Sequence, residues 1–200
     1  QLKEDGTFAV ILFCIDPSGR LRGCMDQGIS TILFSATLLP MPYYKELLSG
    51  EPDGYAIYAQ SPFPRENRLL LVGRDVSSRY SRRNSREYRK AASYIQKVVG
   101  ARAGNYMIFC PSYQYMDQIA QILLAETDPE QTHILVQESH MDEAAREAFL
   151  EEFYQTQPEG QKKRSLAALC VMGGIFGEGI DLKEESLIGV VIIGTGIPQV

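Results

Sequence analysis

Short, nearly continuous apolar runs alternate along this chain with longer stretches whose apolar residues recur at helical spacing. That alternation constrains the fold more than any other feature. Eight runs read as strands: "FAVILFC", "STILFS", "YAIYA", "RLLLV", "YMIFC", "HILVQ", "LAALCVM" and "LIGVVIIG". Several are apolar throughout, as a parallel strand covered on both faces requires, whereas a strand with one wet face would alternate. Three intervening stretches read as helices. Tyr88, Ala91, Ala92, Ile95 and Val99 share one face, and so do Met116, Ile119, Ala120 and Leu123. Met141, Ala145, Ala148 and Phe149 do the same behind Ser139 and Asp142, which read as a capping box. Strand–helix alternation of this kind implies an α/β fold, a doubly wound parallel sheet with helices on both faces. "QPEGQKKRS" reads as a polar loop and "LLSGEPDG" as a turn.

The 200 residues suit one domain, or one domain with part of another, and 44 % hydrophobic residues are ample for a core. No apolar run approaches the ~20 residues of a spanning helix. No basic segment followed by an apolar one opens the chain as a secretion signal would. A cytoplasmic setting without a membrane partner is therefore expected. The chain starts at Gln1, and its last strand-like run stops at "GTGIPQV" without a following helix. It reads as a piece of a longer protein.

None of Cys14, Cys24, Cys110 and Cys170 forms a CxxC pair, and three lie in or beside apolar runs. Buried, reduced thiols are the expectation. Two histidines, His133 and His140, without a CxxC pair do not make up a zinc ligand set, and no metal ligand is assigned. The net charge of −5 gives no overall electrostatic case for nucleic-acid binding. The charge is unevenly spread, however. Residues 79–90 carry six basic side chains against Glu87, and residues 126–152 carry nine acidic ones against Arg146. Such blocks read first as solvated helix faces.

In open parallel sheets ligands bind beyond the carboxyl ends of the strands. "STILF" is followed by Ser35, Ala36 and Thr37, and "YMIFC" by Pro111, Ser112 and Tyr113. "LAALCVM" opens into "GGIFGEGIDL", with four glycines in seven residues and the carboxylates Glu178 and Asp181. Glycines there let the backbone turn sharply and let a phosphate approach the N–H groups. The corner is neither a Walker A loop, since no Lys-Ser or Lys-Thr follows Gly179, nor a GxGxxG fingerprint. Its carboxylates suit a hydroxyl or an arginine better than a phosphate. A tight turn with an acidic cap for the next element is the other reading, and both stay open on composition. Ser112 likewise reads as a helix cap, a ligand contact, or both.

"FSATLLP", "SPFP", "NYMIFCPSY" and "MGGIFGEGIDL", in that order, closely resemble the C-terminal half of DinG-type DNA helicases, relatives of the xeroderma pigmentosum group D helicase. These are superfamily-two motors in which two RecA-like domains clamp ATP and step along a single strand. The resemblance covers nearly the whole chain. It implies that residues 1–38 are the tail of the first RecA-like domain and residues 39–200 a second one, a three-layer parallel sheet truncated before motif VI.

By the same resemblance Ser35, Ala36 and Thr37 form motif III, which couples the ATP state to the grip on DNA. Ser112 and Tyr113, in motif IV, touch the DNA backbone. Gly173 and Gly174, in motif V, approach DNA phosphate, while Glu178, Gly179 and Asp181 face the nucleotide. Ser61 and Phe63 match a further segment on the DNA side, or else form a loop with a packed Phe63. The implied partners are single-stranded or forked DNA and the missing first domain. The implied cofactors are ATP and Mg in the full-length protein, with any iron–sulfur cluster in that first domain. The chain has no GxxxxGK[ST] loop, no Asp-Glu-x-His box and no motif VI, so by itself it is expected to be inactive. Two alternatives remain: a non-catalytic RecA-like module that binds nucleic acid or protein, and an unrelated α/β enzyme, which would lack any GxSxG elbow.

Overall fold

The computed structural model describes residues 8, 10, 14–50, 53–155 and 164–195, which divide into two compact units between Leu69 and Leu70. The expected polar loop over residues 157–165 and the strand over residues 8–14 lie largely outside the described residues.

Among the described residues the first unit holds two α-helices, α1 (Ser18–Met25) and α2 (Met41–Ser49). Pro40 and Pro42 start α2, and Gly50 stops it in a left-handed turn at φ 68°. The strands expected over "STILFS", "YAIYA" and "RLLLV" do not form among the described residues. Their side chains stay in solvent: Ile32, Phe34, Tyr55, Ile57 and Leu69 are all exposed. A strand is held by a paired neighbour and a covered face, and these runs have neither in the described chain.

The second unit carries the sheet. Its elements are α3 (Ser85–Ala101), β1 (Asn105–Cys110), α4 (Tyr113–Glu126), β2 (Thr132–Val136), α5 (Glu143–Glu151), β3 (Ser165–Val171) and β4 (Gly189–Ile192). The four strands are all parallel, in the order β2-β3-β1-β4. Cys110 stands opposite Val171 at the carboxyl end of the central pair.

Alternate residues of the strands serve opposite faces, as the two-residue period demands. Tyr106, Ile108, Cys110, Ala167 and Leu169 meet α3 and α4 through Ala92, Ile95, Met116 and Ile119. Met107, Leu166, Ala168 and Cys170 meet Phe149, Phe153 and Phe176 on the other side. The architecture is therefore the expected three-layer α/β sandwich. The three periodic stretches became α3, α4 and α5. The cap of α5 is Asp142, whose side chain accepts from Ala145 N, so Met141 falls just outside the helix and Ser139 is not its N-cap.

The thiols divide by unit. Burial pushes Cys110 and Cys170 up to about 12, which keeps both protonated and inert. Cys14 and Cys24 are exposed, contrary to the expectation of buried thiols; Cys24 lies on α1, a helix that buries none of its residues.

Candidate functional site

Adjacent strands β1 and β3 send their chains to opposite faces. Beyond β1 the chain enters α4, whose buried side chains join the α3 side. Beyond β3 it turns the other way and buries Phe176 among Phe149, Phe153 and Cys170. Where neighbouring strands part like this, a crevice opens at their carboxyl ends. Met172 N donates to Cys110 O at 2.9 Å, so the glycine corner starts hard against the start of α4.

On the β1 side, Ser112 caps α4, its hydroxyl accepting from Tyr115 N at 3.3 Å. The cap reading of Ser112 is therefore correct. Tyr113 follows in the first turn, half-buried, with its hydroxyl directed to β2: Gln137 Nε2 donates to it at 2.9 Å. The other end of the same amide accepts from Val171 N at 2.9 Å. A backbone N–H can only donate, so the amide oxygen must face Val171 and the NH2 group must face Tyr113. Gln137 is 3 % exposed, and both of its polar atoms are used.

On the β3 side, the corner is a chain of short turns. Gly174 N donates to Val171 O at 3.1 Å and Gly177 N to Gly174 O at 2.9 Å. Gly173 has φ +70°, a conformation that favours glycine. Gly174 is held to glycine by space: a Cβ there would lie 3.0 Å from Val171 O and 3.4 Å from Gln137 Nε2. The corner is not loose. Phe176 is completely buried and stacks on Phe149, and Ile180 and Leu182 pack against the same cluster. Glu178 and Gly179 lie exposed between these anchors. Asp181 is exposed as well; its carboxylate pairs with Lys183 Nζ at 3.1 Å, and its carbonyl accepts from Tyr154 OH at 3.0 Å.

The structure thus brings Ser112, Tyr113, Gly173 and Gly174 together at the carboxyl ends of β1 and β3. It does not bring Asp181 there: Tyr154, which holds the Asp181 carbonyl, follows Phe153, whose carbonyl accepts from Asn105 at the amino end of β1. Ser35, Ala36, Thr37, Ser61 and Phe63 belong to the first unit. There Thr37 N donates to Ser35 Oγ at 3.2 Å and Phe63 N to Ser61 Oγ at 3.3 Å, two local hydroxyl turns. Phe63 is exposed, so the reading of a packed Phe63 does not hold among the described residues.

Beside the crevice, Tyr113, Gln137, Asp142, Ala145 and Ile175 line an open groove of about 640 Å³. Sequence reasoning missed Gln137 as a site residue. Its signal was one polar side chain closing the run "HILVQ" at the edge where ligands bind.

The basic stretch is partly consumed by the fold. Asn84 caps α3 by accepting from Arg86 N and Glu87 N. Glu87 is buried and accepts from Ser77 N at 2.8 Å, with Lys90 and Arg82 beside it at 3.6 and 3.7 Å. The Ser77 N–H above all, and then these two cations, hold its carboxyl below the ordinary value of 4.5. Arg83 lies over the rings of Tyr80 and Tyr115 at 5.2 and 5.3 Å. Arg79, Arg82, Arg86 and Arg89 remain exposed.

A family model described as the helicase C-terminal domain matches residues 95–200, the part that contains this edge. The chain belongs to the helicase C-terminal domain family. Among its curated relatives is the ATP-dependent DNA helicase CHL1 of Candida albicans, 24 % identical over 98 % of this chain and 24 % of the relative. The probable ATP-dependent helicase MJ0942 of Methanocaldococcus jannaschii is 27 % identical over 76 % of the chain and 22 % of that protein. The ATP-dependent DNA helicase XPD of Sulfolobus acidocaldarius is 26 % identical over 47 % of the chain and 18 % of that protein. A solved structure described as XPD_APO aligns with 62 % of the chain and 23 % of its own, with a TM-score of 0.46 and 21 % identity. This helicase C-terminal domain is thus related to XPD- and CHL1-type DNA helicases, as its motifs implied. It spans about a quarter of the length of the CHL1 relative.

Proposed function

We propose that the chain is the C-terminal motor part of an ATP-dependent DNA helicase, acting on single-stranded or forked DNA. In this reading residues 1–38 end the first RecA-like domain and residues 39–200 form the second. ATP hydrolysis between the two drives translocation, and the protein works in the cytoplasm. The observation that carries the proposal is the convergence of Tyr113, Ser112 and the glycine corner on the crevice between β1 and β3. An aromatic ring, a hydroxyl and close-approach glycines are the groups that meet a base, a phosphate oxygen and a sugar–phosphate backbone.

The nucleotide side is argued from what the residues can hold. The corner offers the carboxylates Glu178 and Asp181 and a lysine, Lys183, already paired with Asp181. Two carboxylates repel a triphosphate, and the set does not cradle one. It fits a ribose hydroxyl or an arginine from the other motor domain. The groups that cradle ATP belong, in this reading, to the rest of the protein, and the chain alone does not turn over. The cysteines do not fit an iron–sulfur cluster either: Cys110 and Cys170 serve opposite faces of the sheet, protonated, each in its own core.

The test uses the full-length protein and a labelled oligothymidylate. Binding should weaken steeply with salt, and Tyr113→Ala should raise Kd about 5- to 150-fold, the range of one base–aromatic stack. Binding that ignores salt and the Tyr113 substitution would overturn the proposal.

A further inference from the structure

Gln137 ties two strand ends and the start of a helix together. Its backbone N–H makes the last rung of β2 on β3, donating to Leu169 O at 2.9 Å. The next N–H of β3 on that side, Val171 N, finds no β2 carbonyl and takes the Gln137 side-chain oxygen instead. The amide therefore completes the ladder by imitating a backbone, which frees the chain to leave the sheet at residue 138. Its NH2 group reaches on to the Tyr113 hydroxyl at the head of α4. Gly174 leaves the room that this amide occupies. A buried amide with a donor bond to one motif and an acceptor bond to the other holds both in one relative position.

We propose that Gln137 is a positioning residue for DNA binding, which fixes the Tyr113 ring relative to the glycine corner so that both meet the strand together. The inference rests on the DNA reading of Tyr113 and the corner given above. Gln137 touches no DNA in this account. It acts through Tyr113, and its loss lets the ring swing out of register with Gly173 and Gly174. The fold-change follows from the one hydrogen bond to Tyr113: a net 0.5–1.5 kcal/mol corresponds to about 2- to 12-fold in Kd.

The experiment compares Gln137→Met, Tyr113→Phe, the double variant and Tyr113→Ala in the full-length protein. Kd for labelled oligothymidylate, the DNA concentration that half-activates ATP hydrolysis, and kcat at saturating DNA are measured on folded material. Gln137→Met and Tyr113→Phe should each raise Kd and the half-activating concentration by about 2- to 12-fold, and Gln137→Met should keep kcat at saturating DNA near the parent value. The double variant should be no worse than the weaker single one, because both remove the same bond. A purely structural role for Gln137 would lower the melting temperature and leave that split untouched. If Gln137→Met fails to fold, Tyr113→Phe carries the test, since it removes only the hydroxyl and keeps the ring. Two results overturn the inference alone: Tyr113→Ala weakens binding while Tyr113→Phe and Gln137→Met do not, or the effects of the two single changes multiply in the double variant. Unchanged binding in Tyr113→Ala overturns the DNA reading, and the inference with it.

Discussion

Phe176 stacks on Phe149 with ring centroids 4.3 Å apart and planes inclined by 24°. One ring comes from the glycine corner and the other from α5, so the corner is pinned to the layer below the sheet. Offset stacking adds about 0.5–1.5 kcal/mol for the pair beyond the burial of its two rings. The glycines thus bend a segment whose path is fixed by its apolar residues.

Removing that pin should cost much stability. Phe176→Ala is expected to destabilise the second unit by about 3–5 kcal/mol, the usual cost of emptying a buried phenylalanine site. The midpoint of urea unfolding, read by a probe within residues 70–195, checks it. A shift worth less than about 1 kcal/mol would mean that the corner closes over the gap.

Ser112 carries two roles that substitution can separate. Ser112→Ala should cost about 1 kcal/mol through the lost cap and also weaken DNA binding. Ser112→Asp keeps a good capping oxygen but sets a negative charge beside the strand. It should hold the melting temperature near the parent value while binding oligothymidylate more weakly than the alanine variant. Equal DNA affinity in the aspartate variant and the parent would exclude a phosphate contact at this position.

Asp181 is expected to matter for turnover and not for stability. Its ion pair with Lys183 is solvent-exposed on both sides, and such pairs contribute about 0–1 kcal/mol. Asp181→Ala should therefore leave the melting temperature nearly unchanged. In the full-length protein DNA-stimulated ATP hydrolysis should fall about ten- to a hundred-fold, as for one lost charge-assisted hydrogen bond. A lower melting temperature with normal turnover per folded molecule would refute the nucleotide-side role.

Glu87 makes stability depend on pH in a defined window. Its carboxyl titrates below 4.5 in the folded protein because Ser77 N, Lys90 and Arg82 favour the charged form. A depressed folded value stabilises the protein fully above the unfolded value, and that contribution disappears as pH falls through the folded one. Glu87→Gln, which still offers Ser77 an oxygen, should show a shallower loss of melting temperature below pH 4.5 than the parent. Between about pH 6 and 8 the two curves should run parallel. Parallel curves in acid as well would show that the charge is not what fastens Ser77.

The sheet and the helices of the second unit were legible because their signals are repetitive. Ala91, Ala92, Ile95 and Val99 recur on one helical face, and "LAALCV" is apolar throughout because both of its faces are covered. The same kind of run misled earlier in the chain. "RLLLV" and "STILFS" have strand composition, but composition does not supply the neighbouring strand that would hold them. At the site, Ser112 was legible because a cap acts on its own helix. Gln137 was not, because its partners Tyr113 and Val171 stand 24 and 34 residues away and a lone polar residue has no period. Phe176 was hidden by its neighbours: amid four glycines it reads as part of a loose turn, and only the fold reveals the aromatic layer beneath it.

The strand order has a consequence for biosynthesis. Both neighbours of β1, namely β3 and β4, come later in the chain, and 55 residues separate Cys110 from Ser165. At about 5–20 residues per second, a ribosome makes β1 and then needs roughly 3–11 seconds to reach the start of β3. During that interval α3 and α4 are on hand to shelter one face of β1, while Met107 and Phe109 on the other have no aromatic layer to meet until Phe149 and Phe153 emerge. The nascent second unit therefore passes through a window with an unpaired apolar strand at its centre. Holding chaperones would act there, and slower translation would lengthen it.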